Sequence, residues 1–110
     1  MTFTELDKAL ADTGRRSLAS RLVFALADGL DKNLSGLNLD EFEKQSGYIR
    51  TNIRSVAAAL KESGIIEIQY YDDSVPENET IVMGSVSRGR WSKQHYSLTD
   101  IVKALLKRQA

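Results

Sequence analysis

The sequence predicts an α+β fold, mainly α, in which a run of helices leads into a small antiparallel β-sheet and a last helix. Three observations carry this expectation. Apolar residues recur at helical spacing, most clearly at Ile53, Val56, Ala57 and Leu60. After Gly64 the period changes to two, with Ile66, Ile68 and Tyr70 alternating with Glu67, Gln69 and Tyr71. The chain has 110 residues, 42% hydrophobic and 27% charged. That suits one ordinary globular domain, residues 1–110, rather than a disordered chain.

Each element has a local reason. Thr4 and Asp7 have capping-box spacing and open a short helix through about Ala11, with Leu6 and Leu10 on one face. Gly14-Arg15-Arg16 breaks it. Ser17 caps a stronger amphipathic helix with Leu18, Leu22, Ala25, Leu26 and Gly29 along one side. Asn33-Leu34-Ser35-Gly36 reads as a turn. Asn38 with Glu41 is a second capping pair, for a helix from Leu39 to about Ser46 that Gly47 stops. The next helix covers Ile49 to Ser63, and Gly64 is its C-terminal stop. Beyond the first strand, Asp72 to Asn78 is turn chemistry, Ile81 to Val86 a second strand and Arg88-Gly89-Arg90 a tight basic turn. Gln94, Tyr96 and Leu98 mark a third strand. Thr99-Asp100 caps a final helix, about 99–110, with Ile101, Val102, Leu105 and Leu106 on one side and Lys103, Lys107 and Arg108 on the other.

Composition excludes several functions. Without cysteine there are no disulfides, thiolate metal sites or Cys nucleophile. The lone histidine, His95, is expected to pack or face solvent rather than bind a metal, and no cofactor is expected. No apolar run approaches the ~20 residues of a membrane span. The first eight residues lack the order of a signal peptide, so a cytoplasmic protein with no membrane partner is expected. Gly84 to Trp91 has phosphate-loop glycine spacing, but Arg90 and Trp91 stand where Lys and Ser/Thr are required, and no helix follows. Neither a nucleophile elbow nor an HExxH motif occurs. Asp72 and Asp73 would point to opposite faces of a strand. An enzyme is not expected.

Charge is balanced overall and segregated locally. Residues 1–63 carry nine groups of each sign, 64–83 carry five acids and no base, and 84–110 carry six bases against Asp100 alone. Gly47 to Lys61 holds Arg50, Arg54 and Lys61 with no acid. A phosphate backbone senses such local fields rather than the net charge; solvated surface charge is the plainer alternative.

Between Leu39 and Ser63 a short helix ends at Gly47, three residues pass, and a second helix begins. Phe42 falls where it can be buried with Ile53 and Val56 if the helices cross steeply, which is helix-turn-helix geometry over about 39–63. Burying the Ile53 stripe leaves Arg50, Thr51, Arg54, Ser55 and Ala58 pointing outward, with Asn52 at the flank. Arg can reach guanine O6 and N7, Asn can pair with adenine, and Thr and Ser can serve base or phosphate. The other reading is a helix hairpin with a solvated outer face, although such faces usually mix Glu with Lys and this one holds no acid until Glu62.

From about Ser17 to Leu106 the sequence resembles the small prokaryotic winged helix-turn-helix regulators of the MarR and ArsR kind. Leu60-Lys61-Glu62-Ser63-Gly64-Ile65-Ile66 looks like the exit from a recognition helix into the first wing strand. Gln94-His95-Tyr96-Ser97-Leu98-Thr99 looks like the strand that returns from the wing. The chain departs from that pattern at Glu43, where alanine is usual, at Ile49, where Ser or Thr is usual, and in a long segment from Asp72 to Lys93. The thiol ligands of metal-sensing relatives are absent.

The resemblance implies a wing over about 65–98. Two pairings are open. If 65–73 pairs with 79–87, the tip is acidic; if 65–72 pairs with 91–98, the segment between them can present Arg88, Arg90 and Lys93 to DNA. We favour the second, because it sets the basic segment beside Arg50 and Arg54. Trp91 is a packing anchor or a sugar-phosphate contact. Leu6 and Leu10 at one end, and Ile101, Val102, Leu105 and Leu106 at the other, are candidate homodimer surfaces or caps on the monomer core.

The expectation is a homodimeric, sequence-specific reader of double-stranded DNA that regulates transcription, with repression by operator occlusion favoured. Arg50, Thr51, Asn52, Arg54 and Ser55 would enter the major groove, while Arg88, Arg90 and Lys93 hold phosphates or the minor groove. At this size, control by protein level or a partner is favoured over a built-in effector pocket. The rival is a module that binds a protein partner in a replication, segregation or inhibitory assembly through the acidic segment 72–79.

Overall fold

The computed structural model describes residues 1–32, 36–72 and 92–107. In chain order they form α1 (Phe3–Asp12), α2 (Arg16–Asp31), β1 (Leu37–Asn38), α3 (Leu39–Ser46), α4 (Arg50–Glu62), β2 (Ile66–Asp72), β3 (Ser92–Leu98) and α5 (Asp100–Lys107). The protein is mainly helical with a small three-stranded antiparallel sheet, ordered β1-β3-β2.

The helix starts correct two expectations. The first capping box lies at Thr2 and Glu5, not Thr4 and Asp7. The Thr2 hydroxyl accepts from the Glu5 amide at 3.1 Å, and the Glu5 carboxylate accepts from the Thr2 amide at 3.1 Å. Both pairs are three apart, but Glu reaches back to the cap amide more readily than the shorter Asp. Asp7 instead meets Arg16 at 3.5 Å. In the α1–α2 turn, the Thr13 hydroxyl donates to the Leu10 carbonyl at 2.7 Å and accepts from the Arg15 amide at 3.1 Å. The chain therefore re-enters helix at Arg16, with Arg15 as an N-cap whose side chain makes no capping bond, and Ser17 lies inside the helix.

The expected ends of α3 and α4 hold more closely. The Asn38 side chain accepts from the Glu41 amide at 2.7 Å, and Gly47 ends α3 in the left-handed region at φ 77°, which glycine enters without the Cβ penalty. After α4 the Gly64 amide bonds the Lys61 carbonyl at 3.0 Å and the Ile65 amide bonds the Leu60 carbonyl at 2.9 Å. These two bonds are the Schellman closure, and Leu60 and Ile65, both fully buried, supply the apolar contact that accompanies it. Thr99 fastens this exit: its hydroxyl donates to the Gly64 carbonyl at 2.8 Å and its amide to the Ile65 carbonyl at 3.1 Å.

One core joins all these elements. Leu6 and Leu10 of α1, Leu18, Leu22, Val23 and Leu26 of α2, Leu39 and Phe42 of α3, and the Ile53, Val56, Ala57 and Leu60 stripe of α4 pack together. Ile66 and Ile68 of β2, Tyr96 and Leu98 of β3, and Val102 and Leu105 of α5 complete it. Phe42, Ile53 and Val56 are all buried, as the expected α3–α4 crossing requires. Each such large apolar side chain contributes about 1.5–3 kcal/mol on burial. Four of the candidate dimer residues (Leu6, Leu10, Val102 and Leu105) belong to this core, whereas Ile101 is largely exposed.

β2 pairs directly with β3, from Ile66 opposite Leu98 to Asp72 opposite Ser92. This is the favoured pairing of the two considered, 65–72 with 91–98. Residues 73–91 connect the strands, so the expected strand 81–86, Arg88, Arg90 and Trp91 lie outside the described residues. β1, which no periodicity in the chain foretold, adds Leu37 opposite Tyr96 and Asn38 opposite His95. No helix among the described residues is long and apolar enough to cross a membrane.

Candidate nucleic-acid interface

Helical geometry sets what α4 shows to solvent. With Ile53, Val56, Ala57 and Leu60 turned into the core, residues 51, 54, 55 and 58 fall on the opposite side of a helix of 3.6 residues per turn. Thr51, Arg54, Ser55 and Ala58 are accordingly exposed, and Asn52 is half-buried at the flank. Arg54 has no carboxylate partner within ion-pair distance among the described residues. The face is therefore small and polar around one available cation.

Arg50 lies elsewhere. Its guanidinium turns back onto α3, where Nη2 bonds an Asp40 carboxylate oxygen and Nε and Nη2 reach Glu43 at 3.4 and 3.3 Å. Asp40 and Glu43, one helical turn apart, present both carboxylates to it. The bond from Glu43 raises the Arg50 pKa above its ordinary value, with partial burial opposing and Asp40 assisting. All three side chains are 37–40% exposed, so each pair contributes on the order of 0–1 kcal/mol. The expected outward, available Arg50 is thus corrected to one engaged between two helices. Interhelical pairs at separations of ten and seven residues leave no trace in a single helix pattern. The one visible signal was Glu43, an acid where the resembled motif has alanine.

The strand beneath this face is tied to it electrically. Tyr96 is fully buried, and its hydroxyl donates to Gln94 Oε1 at 2.6 Å. Burial pushes the phenol well above its ordinary pKa, while the charges of Arg54 and then Arg50 act in the opposite sense. Lys93 occupies a β3 position opposite Tyr71. The paired strands run from Ile66 and Leu98 to Asp72 and Ser92, about 20 Å along the hairpin.

His95 is a packing residue here. It is half-buried between Asn38 and Gln69 of the neighbouring strands, and its Nδ1 is buried without a hydrogen-bonding partner among the described residues. Burial lowers its pKa, with the nearby Glu41 charge partly opposing. Among the described residues no three His, Asp or Glu side chains converge as metal ligands.

The described residues also form a cleft and a groove. A cleft of about 390 Å³ runs between the α1–α2 turn and the turn before α4, lined by Gly14 to Leu18 and Tyr48. An apolar groove of about 190 Å³ lies between α1, α2 and α5, with Phe3 and Phe24 at its exposed edge and Leu106 along it. Comparison with family models, with curated proteins and with solved structures gave no match to this chain.

Proposed function

We propose that this protein is a winged helix-turn-helix reader of double-stranded DNA that regulates transcription, with α3–α4 as the helix-turn-helix and β2–β3 as the wing. The observation that carries the proposal is the outer face of α4, where Thr51, Arg54, Ser55 and Ala58 are exposed together and no acid intervenes. A helix entering the major groove needs such a face: an Arg for guanine, short polar side chains for base edges or phosphates, and small residues that permit close approach. The order of elements supports the same reading. The strand returning from the hairpin, β3, packs between β2 and the short β1 that precedes α3, which fixes the hairpin root beside the helix pair. Arg88, Arg90 and Lys93 would hold phosphates from the wing. Dimerisation through the α1–α2–α5 groove would cover Phe3 and Phe24 and give two α4 helices to one site, with repression by operator occlusion as the mode of action.

The test is a selection from random-core duplex DNA at about 150 mM salt, where nonspecific attraction is weakened. An enriched inverted repeat with half-sites about one helical turn apart supports the dimeric reader. Arg54→Ala should weaken the enrichment and relax the preference at one base position while leaving the fold intact. If the wild type enriches nothing, or Arg54→Ala binds as the wild type does, the DNA reading fails, and a protein partner for the acidic segment 72–79 becomes the alternative.

A further inference from the structure

On the DNA reading, Arg50 would be the natural first reader: it begins α4 and carries the side chain best suited to guanine. We propose instead that Arg50 is a positioning residue. The Arg50–Asp40–Glu43 cluster clamps the start of α4 onto α3 and sets the angle at which α4 meets DNA. Base reading falls to Arg54 with Thr51 and Ser55. This inference rests on the DNA reading for its second half only.

The guanidinium edge is already spent. Guanine recognition uses two adjacent N–H groups against O6 and N7. In Arg50 the Nε and Nη2 donors face Glu43 at 3.4 and 3.3 Å, and Nη2 also bonds Asp40. Turning Arg50 outward would break its bonds to both Asp40 and Glu43. Arg54, one turn further on, is exposed and faces no such competition among the described residues.

The start of α4 also needs a fastening that its own sequence does not provide. Ile49 is the N-cap and offers no side-chain bond to the first turn. The link from Gly47 to Ile49 opens with a left-handed glycine at φ 77°, so local backbone preference alone does not fix the crossing. Phe42 holds the two helices from within the core, and the Arg50 cluster holds them at the surface. Two fastenings on different sides of the helix define an angle where one would leave a pivot.

The test compares base preferences across variants in the random-core duplex selection, with circular dichroism and thermal melts confirming that each variant folds. Arg50→Gln should enrich the wild-type sequence, with affinity lowered by a similar factor for every duplex. Swapping the charges in the double variant Arg50→Glu with Glu43→Arg should recover affinity and keep the same preference, although residue 50 then carries no guanidinium. Arg54→Gln should change discrimination at one base position by about 5- to 150-fold. A position-specific loss in Arg50→Gln that the swap fails to restore overturns the proposal and makes Arg50 a reader. Should Arg50→Gln not fold, Arg50→Lys serves: it keeps the pairing, and an altered preference there overturns the proposal equally. If the wild type enriches no sequence, the DNA reading falls, and the clamp is judged alone by a stability double-mutant cycle of Arg50→Gln and Glu43→Gln. Coupling between the two supports the clamp, and strict additivity overturns it.

Discussion

Gly36 sits where β1 presses against β3, and replacing it with alanine is the sharpest test of how the short strand is held. A Cβ at this position would lie 2.6 Å from His95 Cε1 and 3.1 Å from His95 Nε2, and well inside van der Waals contact with the Tyr96 carbonyl oxygen. The histidine ring can turn aside, but the Tyr96 carbonyl belongs to the central strand and cannot. β1 must therefore lift, which weakens the pairing of Leu37 with Tyr96 and of Asn38 with His95. Each hydrogen bond lost there costs about 0.5–1.5 kcal/mol. Displacing Asn38 also compromises the α3 cap, at about 1 kcal/mol. The total expected for Gly36→Ala is about 2–4 kcal/mol, or a fall in Tm of roughly 10–25 °C for a domain of this size. Urea and thermal unfolding followed by circular dichroism would measure it. Gly14→Ala is the control: nothing lies within 4 Å of its added Cβ, and its φ of 78° exacts only the left-handed penalty, about 1 kcal/mol. If Gly36→Ala destabilises no more than Gly14→Ala, the close-approach argument is wrong.

Three further outcomes are expected. Phe42→Ala, which empties a fully buried site under the α3–α4 crossing, should cost about 3–5 kcal/mol in a denaturant titration; a cost below 1.5 kcal/mol would show that the helices close over the gap. Asn38→Ala should remove about 1 kcal/mol, with amide exchange accelerated at the start of α3 and unchanged in α4. His95 has a folded-state pKa held below its ordinary 6.5, so the unfolded chain takes up this proton first as pH falls. Its contribution is neutral above about pH 6.5 and grows destabilising below it. His95→Gln should accordingly flatten the acid-side decline in stability, and Glu41→Gln, which removes the opposing charge, should steepen it; an unchanged slope in both contradicts the burial of the ring.

What could be read from the chain was whatever repeats within one element. The α4 stripe, the Asn38 cap, the glycine stop at Gly47 and the alternation of β2 each depend on neighbours within a few residues, and all appear in the structure at or near their expected bounds. The first cap was misplaced because Thr2-Glu5 and Thr4-Asp7 offer the same spacing, and only the reach of the acid distinguishes them. β1 was missed because two residues cannot show a period; its existence depends on β3, more than fifty residues away. The candidate interface divides along the same line. Exposure of Thr51, Arg54 and Ser55 follows from the period of α4, whereas the capture of Arg50 depends on how α3 lies across it. The hairpin pairing lay between these cases: both registers satisfied the alternation of β2, and the choice of 92–98 required the third dimension.

The bonds at Thr99 have a mechanical consequence. This residue ends β3's return path, begins the approach to α5, and grips the backbone at Gly64 and Ile65 just where α4 lets go. The last helix and the exit of α4 are thus two arms of one lever with its fulcrum at Thr99. Leu106, at the outer end of one arm, lines the apolar groove with Phe3 and Phe24. That groove and the C-terminal end of α4 are therefore joined through α5, both by the two bonds at Thr99 and by Val102 and Leu105 in the shared core.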